Sequence, residues 1–316
     1  MTQGTILVTG EAIGDFIPRD GEGRHYEAVL GGSGFNAALA LARFGASVAY
    51  AGALSTDALG RRFRTALATE GIDAGLVHDS ARPSAIAVVA PLGPGGVPEF
   101  GLYLDGTAHA EPEGTPRSCP PGVVHLHATS FGATVGPSGE ATLALIESAK
   151  AQGASISYDV NIRASVLPER ALATALIEQR IALADIVKVS LDDLAWLHPD
   201  WSAETVVAHW HGLGASRFGA TCVLVTRGVQ GASCHGADGL IESAAPSVVV
   251  TDTVGAGDTF IGGVLSVLAG RGLLGQNLAL ATRSDLQAAL AFACDVAADS
   301  CTRPGCDPPR RSAVEV

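Results

Sequence analysis

Lysine is nearly absent from this 316-residue chain, with Lys150 and Lys188 standing beside 18 arginines. A Walker A phosphate loop needs Gly-Lys-Ser/Thr, and neither lysine follows a glycine, so a P-loop nucleotide hydrolase is excluded. Aromatic residues make up 5% of the chain and charged residues 16%, against 47% hydrophobic. Such a chain is too apolar for disorder and has to fold around a large core. Long apolar runs are lacking as well. The longest uncharged stretch, 119–139, is broken by Pro120, Pro121, Gly122, Gly132, Gly136 and Pro137, which rules it out as a membrane span. The N-terminus has no basic start, and Ile6-Leu-Val8 suits a first buried strand better than an export signal, so a cytoplasmic location is expected. The six cysteines form no Cys-x-x-Cys pair, in keeping with reduced thiols. Positive charge is in deficit: 20 Lys plus Arg against 32 Asp plus Glu give −12, which argues against nucleic acid as a partner.

Glycine, by contrast, is plentiful. Its 39 copies follow no fixed period, so they serve turns and ligand contacts locally.

Short β-branched runs alternate with Ala/Leu-rich segments of helical period, which predicts an α/β fold: a mostly parallel central sheet with helices on both faces. Ser47–Ala51, Val123–Ala128, Ala154–Asp159, Asp185–Val189 and Thr221–Thr226 are expected as strands. Ser33–Phe44, Asp57–Glu70, Pro137–Ala151, Pro168–Ala184 and Ala203–Gly212 are expected as helices. A different rhythm holds at Ala12–Pro18, His25–Leu30, Ser84–Pro91 and Glu99–Leu104. These four strands, with few helices between them, would form a small extra sheet inserted from about 12–30 and 84–108, suited to a lid. No linker marks a second domain, so residues 1–316 are read as one.

The segment Thr251-Asp-Thr-Val-Gly-Ala-Gly-Asp-Thr-Phe260 precedes an apolar helical run. Gly255, Ala256 and Gly257 leave backbone N–H groups bare at a helix N-terminus, where the helix dipole favours an anion. Asp258 follows in the first turn, where its negative charge is favoured and it should stay ionised at neutral pH. A carboxylate beside an anion site is placed to take a proton from a hydroxyl that attacks a phosphoryl group. An ordinary helix start is the alternative for such a short motif.

A second glycine-rich segment, Leu30-Gly-Gly-Ser-Gly-Phe-Asn36, opens a small-residue helix. Asn36 there carries both a donor and an acceptor, which suits sugar hydroxyls. Gly32-Ser-Gly-Phe-Asn-Ala37 also fits the dinucleotide fingerprint and would suit a nicotinamide oxidoreductase. Its context argues otherwise, because the preceding His25–Leu30 belongs to the irregular β-rich region. His125 and His127 alternate on one strand with no third ligand evident, which favours packing over metal binding.

Together the two segments resemble the ribokinase-like, or PfkB, family of carbohydrate kinases, over about Thr5 to Pro309. Gly31 to Gly45 with Gly52-Ala-Leu-Ser-Thr-Asp-Ala-Leu-Gly60 is similar to the family's N-terminal signature, and Asp252 to Phe260 to its C-terminal one. The resemblance implies a three-layer α/β/α sandwich with a small β-sheet lid. It implies Asp258 as catalytic base and the amides of Gly255, Ala256 and Gly257 as anion hole. It places Asp15, Gly31, Gly32 and Asn36 against the sugar, with Asn161 and Arg163 of Asp159-Val-Asn-Ile-Arg163 facing the phosphates. Lys188-Val-Ser-Leu-Asp-Asp193 aligns with a stretch that usually ends Asn-x-x-Glu and organises Mg²⁺. Ser190 and Asp193 take those places here, so Mg²⁺ is expected to be required but more weakly held. Thr226, Gly228 and Gly231 would lie at the nucleotide ribose and phosphates, and Ala291 and Cys294 along the adenine. Residues 301–306 lie where relatives bind a monovalent cation near Asp252, which adds K⁺ to ATP and Mg²⁺ as an implied cofactor.

Gly10-Glu-Ala-Ile-Gly-Asp-Phe16, Tyr103-Leu-Asp-Gly-Thr-Ala108 and Thr302-Arg-Pro-Gly305 look most like bacterial fructokinases. Fructose is therefore the expected sugar, with 2-keto-3-deoxygluconate, ribose or a nucleoside as alternatives. A sugar-binding regulatory protein that lost turnover through Ser190 and Asp193 is the rival of another class. Lid strands pairing between subunits would make a homodimer.

Overall fold

The computed structural model describes residues 4–20, 22–89, 100–214, 222–237 and 239–311. In chain order its strands are β1 (Thr5–Thr9), β2 (Ile13–Pro18), β3 (Tyr26–Gly31), β4 (Val48–Ser55), β5 (Asp73–Ser80), β6 (Ile86–Val89), β7 (Phe100–Tyr103), β8 (Val123–Thr129), β9 (Ser155–Asp159), β10 (Ile186–Ser190), β11 (Cys222–Thr226), β12 (Ala232–Gly236) and β13 (Gly239–Ser243). The α-helices are α1 (Ser33–Arg43), α2 (Ala58–Thr69), α3 (Gly136–Ala151), α4 (Arg170–Ile181), α5 (Leu191–Leu197), α6 (Ala203–Leu213), α7 (Ala256–Gly270) and α8 (Arg283–Ser300).

Nine strands form one sheet in the order β13-β12-β11-β10-β9-β8-β1-β4-β5, and a separate four-stranded sheet runs β3-β2-β6-β7. From β11 to β5 the large sheet is parallel, and the β12–β13 hairpin adds an antiparallel edge. Ile6, Leu7 and Val8 of central β1 are all 0% exposed, because helices cover both faces and alternation has no polar side to mark. One face packs Ile6 and Val8 against α1, α7 and α8; the other packs Leu7 against α3, α4 and α6, where Trp210 is buried. No described helix is long and apolar enough to cross a membrane.

The small sheet is tied to the large one at a cap. Asp57 precedes α2 and accepts the Gly60 N–H at 2.8 Å; the same carboxylate accepts the Ser84 N–H and hydroxyl, each at 2.8 Å, just before β6. One N-cap therefore fixes both the helix start and the entry to the lid.

Most expected elements are present with ends shifted by one to three residues, and β4 runs on to Ser55. The residues 90–99, including the ends of two expected lid strands, lie outside the described residues, as does Thr221. The expectation did not include β5, α5 or the β12–β13 hairpin. β5 is an edge strand of mostly partial burial, so Asp73-Ala-Gly-Leu-Val-His-Asp-Ser80 carries little apolar signal. α5 is seven residues long and depends on its cap, in which Ser190 and Asp193 bond reciprocally.

Arg180 of α4 is 2% exposed and pairs with no carboxylate among the described residues. It donates to the carbonyls of Ala133, Gly139 and Leu176, each at 2.8 Å, pinning the turn after β8 to α4. Arg180→Leu removes these buried charge-assisted hydrogen bonds and should cost about 2–4 kcal/mol of stability, read as a lower midpoint in chemical denaturation.

Candidate active site

Four neighbouring parallel strands end at the same edge of the sheet: β10, β9, β8 and β1. Polar residues cluster just past those ends, where ligands bind in open α/β sheets. Gly10 and Glu11 follow β1, Ser130 and the turn to Thr134 follow β8, Asn161 to Arg163 follow β9, and Ser190 ends β10. The N-termini of α1 and α7 close the cluster.

Asp258 is the third residue of α7 and 5% exposed. Its Oδ2 accepts the Asn36 Nδ2 hydrogen at 2.9 Å across 222 residues of sequence, while its buried Oδ1 has no partner. A carboxylate with one oxygen fixed and the other unpaired is oriented for one incoming proton. Gly255 caps α7 in the left-handed region at φ +74°, and a Cβ there would lie 2.2 Å from Cys306 Sγ, so the turn requires glycine. Of the three expected anion-hole amides, that of Ala256 is turned back to the Thr253 carbonyl at 3.2 Å; those of Gly255 and Gly257 are the donors left for a ligand.

Burial lifts the Asp258 pKa above the ordinary aspartate value, although the Asn36 hydrogen bond, Lys188 and Arg163 act against it. The sequence suggested an acid eased by the helix dipole; the structure adds a desolvation that the dipole does not cancel. Lys188 is the buried counter-charge. Its Nζ lies 3.1 Å from Asp159 Oδ2, with the two side chains 5% and 0% exposed. A Cβ on Gly257 would come within 2.6 Å of that Nζ, so the ammonium sits against the first turn of α7. Burial opposes the charged lysine, but the carboxylates of Asp159, Asp193 and Asp258 outweigh it and raise its pKa. Burial also pushes Asp159 up to about 7 despite Lys188.

On the sugar side, Asp15 of β2 sits with its Oδ2 where a Gly31 side chain would be, 2.2 Å from the Cβ position. Burial raises its pKa to about 6, against the pull of Arg163. The glycines make room for the protein's own backbone: a Cβ on Gly32, at φ +93°, would lie 2.5 Å from the Glu11 carbonyl oxygen. Gly32 also follows β3 of the small sheet and not a strand of the parallel one, so the dinucleotide fingerprint lacks its βαβ unit. Asn161, at φ +34°, donates from Nδ2 to Ser33 Oγ at 2.5 Å and accepts from Arg163 Nη1 at 2.7 Å. Arg163 itself is exposed.

The other expected residues lie further out. Asp193 Oδ1 accepts the Ile162 N–H at 2.9 Å and its Oδ2 accepts the Ser190 N–H and hydroxyl at 2.9 and 2.7 Å, so the carboxylate caps α5 and ties it to the strand end. Asp252 accepts the N–H groups of Val254 at 3.0 Å and Gly305 at 2.8 Å. Those oxygens are engaged by backbone and hydroxyl donors, and among the described residues no group of three metal-capable side chains is found. Thr226 ends β11, and Gly228 and Gly231 take positive φ in the turn after it. On α8 Ala291 is exposed and Cys294 buried. His125 and His127 bond Ser155 and Ser157 inside the sheet, and burial lowers both to about 3, consistent with packing.

Sequence reasoning gave no role to Glu11, although an acid directly after an apolar strand is a visible signal. It is 3% exposed. Asp159 lies in the motif Asp159-Val-Asn-Ile-Arg163, which carries no local sign of its pairing with Lys188.

The pattern described as pfkB family carbohydrate kinase matches residues 3–313. The fructokinase of Rhizobium leguminosarum bv. trifolii is 34% identical over 269 residues, covering 83% of this chain and 79% of the relative. Among solved structures, a fructokinase with bound ATP from Xylella fastidiosa superposes with a TM-score of 0.87 at 26% identity, covering 99% of this chain and 98% of the other. A double mutant of the Vibrio cholerae O395 fructokinase, in fructose, ADP and potassium ion bound form, superposes with a TM-score of 0.81 at 28% identity, covering 96% and 94%.

A base works only when ionised, so with Asp258 in that role activity should fall as pH drops through its pKa. Lys188 lowers that pKa. In Lys188→Met the acid limb of the kcat/KM profile for phosphoryl transfer should therefore move to higher pH; an unmoved limb would mean that Lys188 does not act on Asp258.

Proposed function

The chain belongs to the pfkB family of carbohydrate kinases, and from that premise we propose that it transfers the γ-phosphoryl group of ATP to a hydroxyl of fructose. The ATP-dependent sugar kinase activity follows from the family and its fructokinase relatives. The observation that carries the residue assignment is Asp258: buried, held by Asn36 through one oxygen, unpaired at the other, and next to the free amides of a helix N-terminus.

In this reading the sugar hydroxyl gives its proton to Asp258 Oδ1 as its oxygen bonds to the γ-phosphorus, and the bond from that phosphorus to the β–γ bridging oxygen breaks to release ADP. Gly255 and Gly257 N–H groups meet the phosphoryl oxygens, where charge stabilisation of the transition state is worth most. Arg163 supplies a planar fork to the same oxygens from across the cleft. Asp15 and Asn36 orient the sugar, while the 226–231 turn and α8 receive the nucleotide. Mg²⁺ enters with ATP and is held by phosphate and water more than by protein. K⁺ activation through the 301–306 loop belongs to the same proposal, as do a cytoplasmic location and a homodimer formed through lid edges β3 and β7, where Tyr26 and Tyr103 are 37% and 60% exposed.

Asp258→Asn should lower kcat by about 10²–10⁴-fold while sugar still binds, measured by ADP release and by calorimetry. A binding module would have no rate to lose. ADP release on a panel of fructose, 2-keto-3-deoxygluconate, ribose and nucleosides, with and without K⁺, should be fastest with fructose; a better acceptor among the others would overturn the sugar assignment.

A further inference from the structure

The Glu11 carboxylate joins three strand ends. Its Oε1 accepts the Ser33 N–H at 3.3 Å and its Oε2 the Gly132 N–H at 3.1 Å, at the head of α1 and in the turn after β8. The main chain of residue 11 is equally enclosed: its carbonyl accepts the Phe35 N–H at 3.3 Å, and a Cβ on Gly132 would lie 2.7 Å from its nitrogen. From Ser33 a chain of bonds continues outward. Ser33 Oγ accepts from Asn161 Nδ2 at 2.5 Å, and Asn161 Oδ1 accepts from Arg163 Nη1 at 2.7 Å. Two non-glycine residues with positive φ lie along it, Ser130 at 62° and Asn161 at 34°, and the Ser130 hydroxyl donates to the Asn161 carbonyl at 3.1 Å. Such conformations cost energy and persist only where their surroundings hold them.

We infer that Glu11 is a positioning residue for the phosphoryl clamp: through Ser33 and Asn161 it sets the direction of the exposed Arg163 guanidinium. An arginine at a surface has many rotamers, and a clamp gains from losing that freedom before the substrate arrives. Glu11 is 3% exposed and its carboxylate is taken up by backbone N–H groups, so its effect on Arg163 passes through its neighbours. The inference rests on the proposed kinase reading, in which Arg163 faces the phosphates.

Glu11→Gln keeps the shape but replaces one acceptor oxygen by an NH₂ group, which cannot serve both N–H donors. The test compares kcat for wild type, Glu11→Gln, Arg163→Ala and the double variant, with folding checked by circular dichroism. Glu11→Gln should lower kcat by about 10–100-fold, the scale of a misplaced group. Adding Arg163→Ala to it should then cost at least about tenfold less than Arg163→Ala costs in wild type, because the two losses share one cause. A folded Glu11→Gln with kcat within about twofold of wild type, or losses that simply multiply, overturns the inference. Should Glu11→Gln fail to fold, the same cycle with Ser33→Ala, which removes the next link, decides by the same criteria. A wild type that phosphorylates no sugar would sink the kinase reading instead, so the two failures are distinct.

Discussion

A general base must be ionised to work, yet the place where it works best excludes water. In the proposed reading Asp258 sits under that constraint, and the groups around it oppose the effect of burial on its charge. Asn36 binds one carboxylate oxygen, Lys188 lies against the turn that carries the base, and Arg163 approaches from the β9 end. Lys188 is kept charged in turn by three acids, of which Asp159 is paired with it directly. The buried ion pair is thus better understood as local charge control than as a source of stability, since buried pairs gain little net free energy. The −12 charge of the whole chain makes this local arrangement more necessary, because an anionic nucleotide has to be drawn in by amides and a few cations against the overall field.

The parallel sheet delivers these groups to one place without requiring them to be near in sequence. Adjacent strands β10, β9, β8 and β1 end together, and residues 10–11, 130–134, 159–163 and 188–193 meet there. Close approach of the loops is what consumes the glycines. Gly32 and Gly132 wrap the backbone of Glu11, and Gly34 packs on Gly10, where a Cβ would lie 2.6 Å from the carbonyl carbon. The small sheet enters beside this cluster, latched by Asp57 to the head of α2.

The layered architecture was legible because buried parallel strands and amphipathic helices leave opposite periodicities, and the lid strands stood out by their missing helices. Edge strands such as β5 were not, since partial burial blurs the alternation. At the site, Asp258, Asn36 and Arg163 could be named from their motifs and resemblance. Their connections could not: the Asn36–Asp258 bond spans 222 residues and the Ser33–Asn161 bond 128, and no local pattern encodes such pairs. Nor does the sequence show that at Gly31 and Gly32 a neighbouring carboxylate and carbonyl fill the space a side chain would need. The resemblance places Asp193 near a metal; its local sequence gives no sign that the same carboxylate caps α5 and holds the Ile162 N–H.

Asp258 is proposed as a base and not as a nucleophile, so the phosphoryl group should pass from ATP to sugar in one in-line step. Following the configuration at phosphorus with γ-phosphate-chiral ATP tests this most directly. The account predicts inversion in the sugar phosphate; retention would indicate a phosphorylated enzyme intermediate and would contradict it.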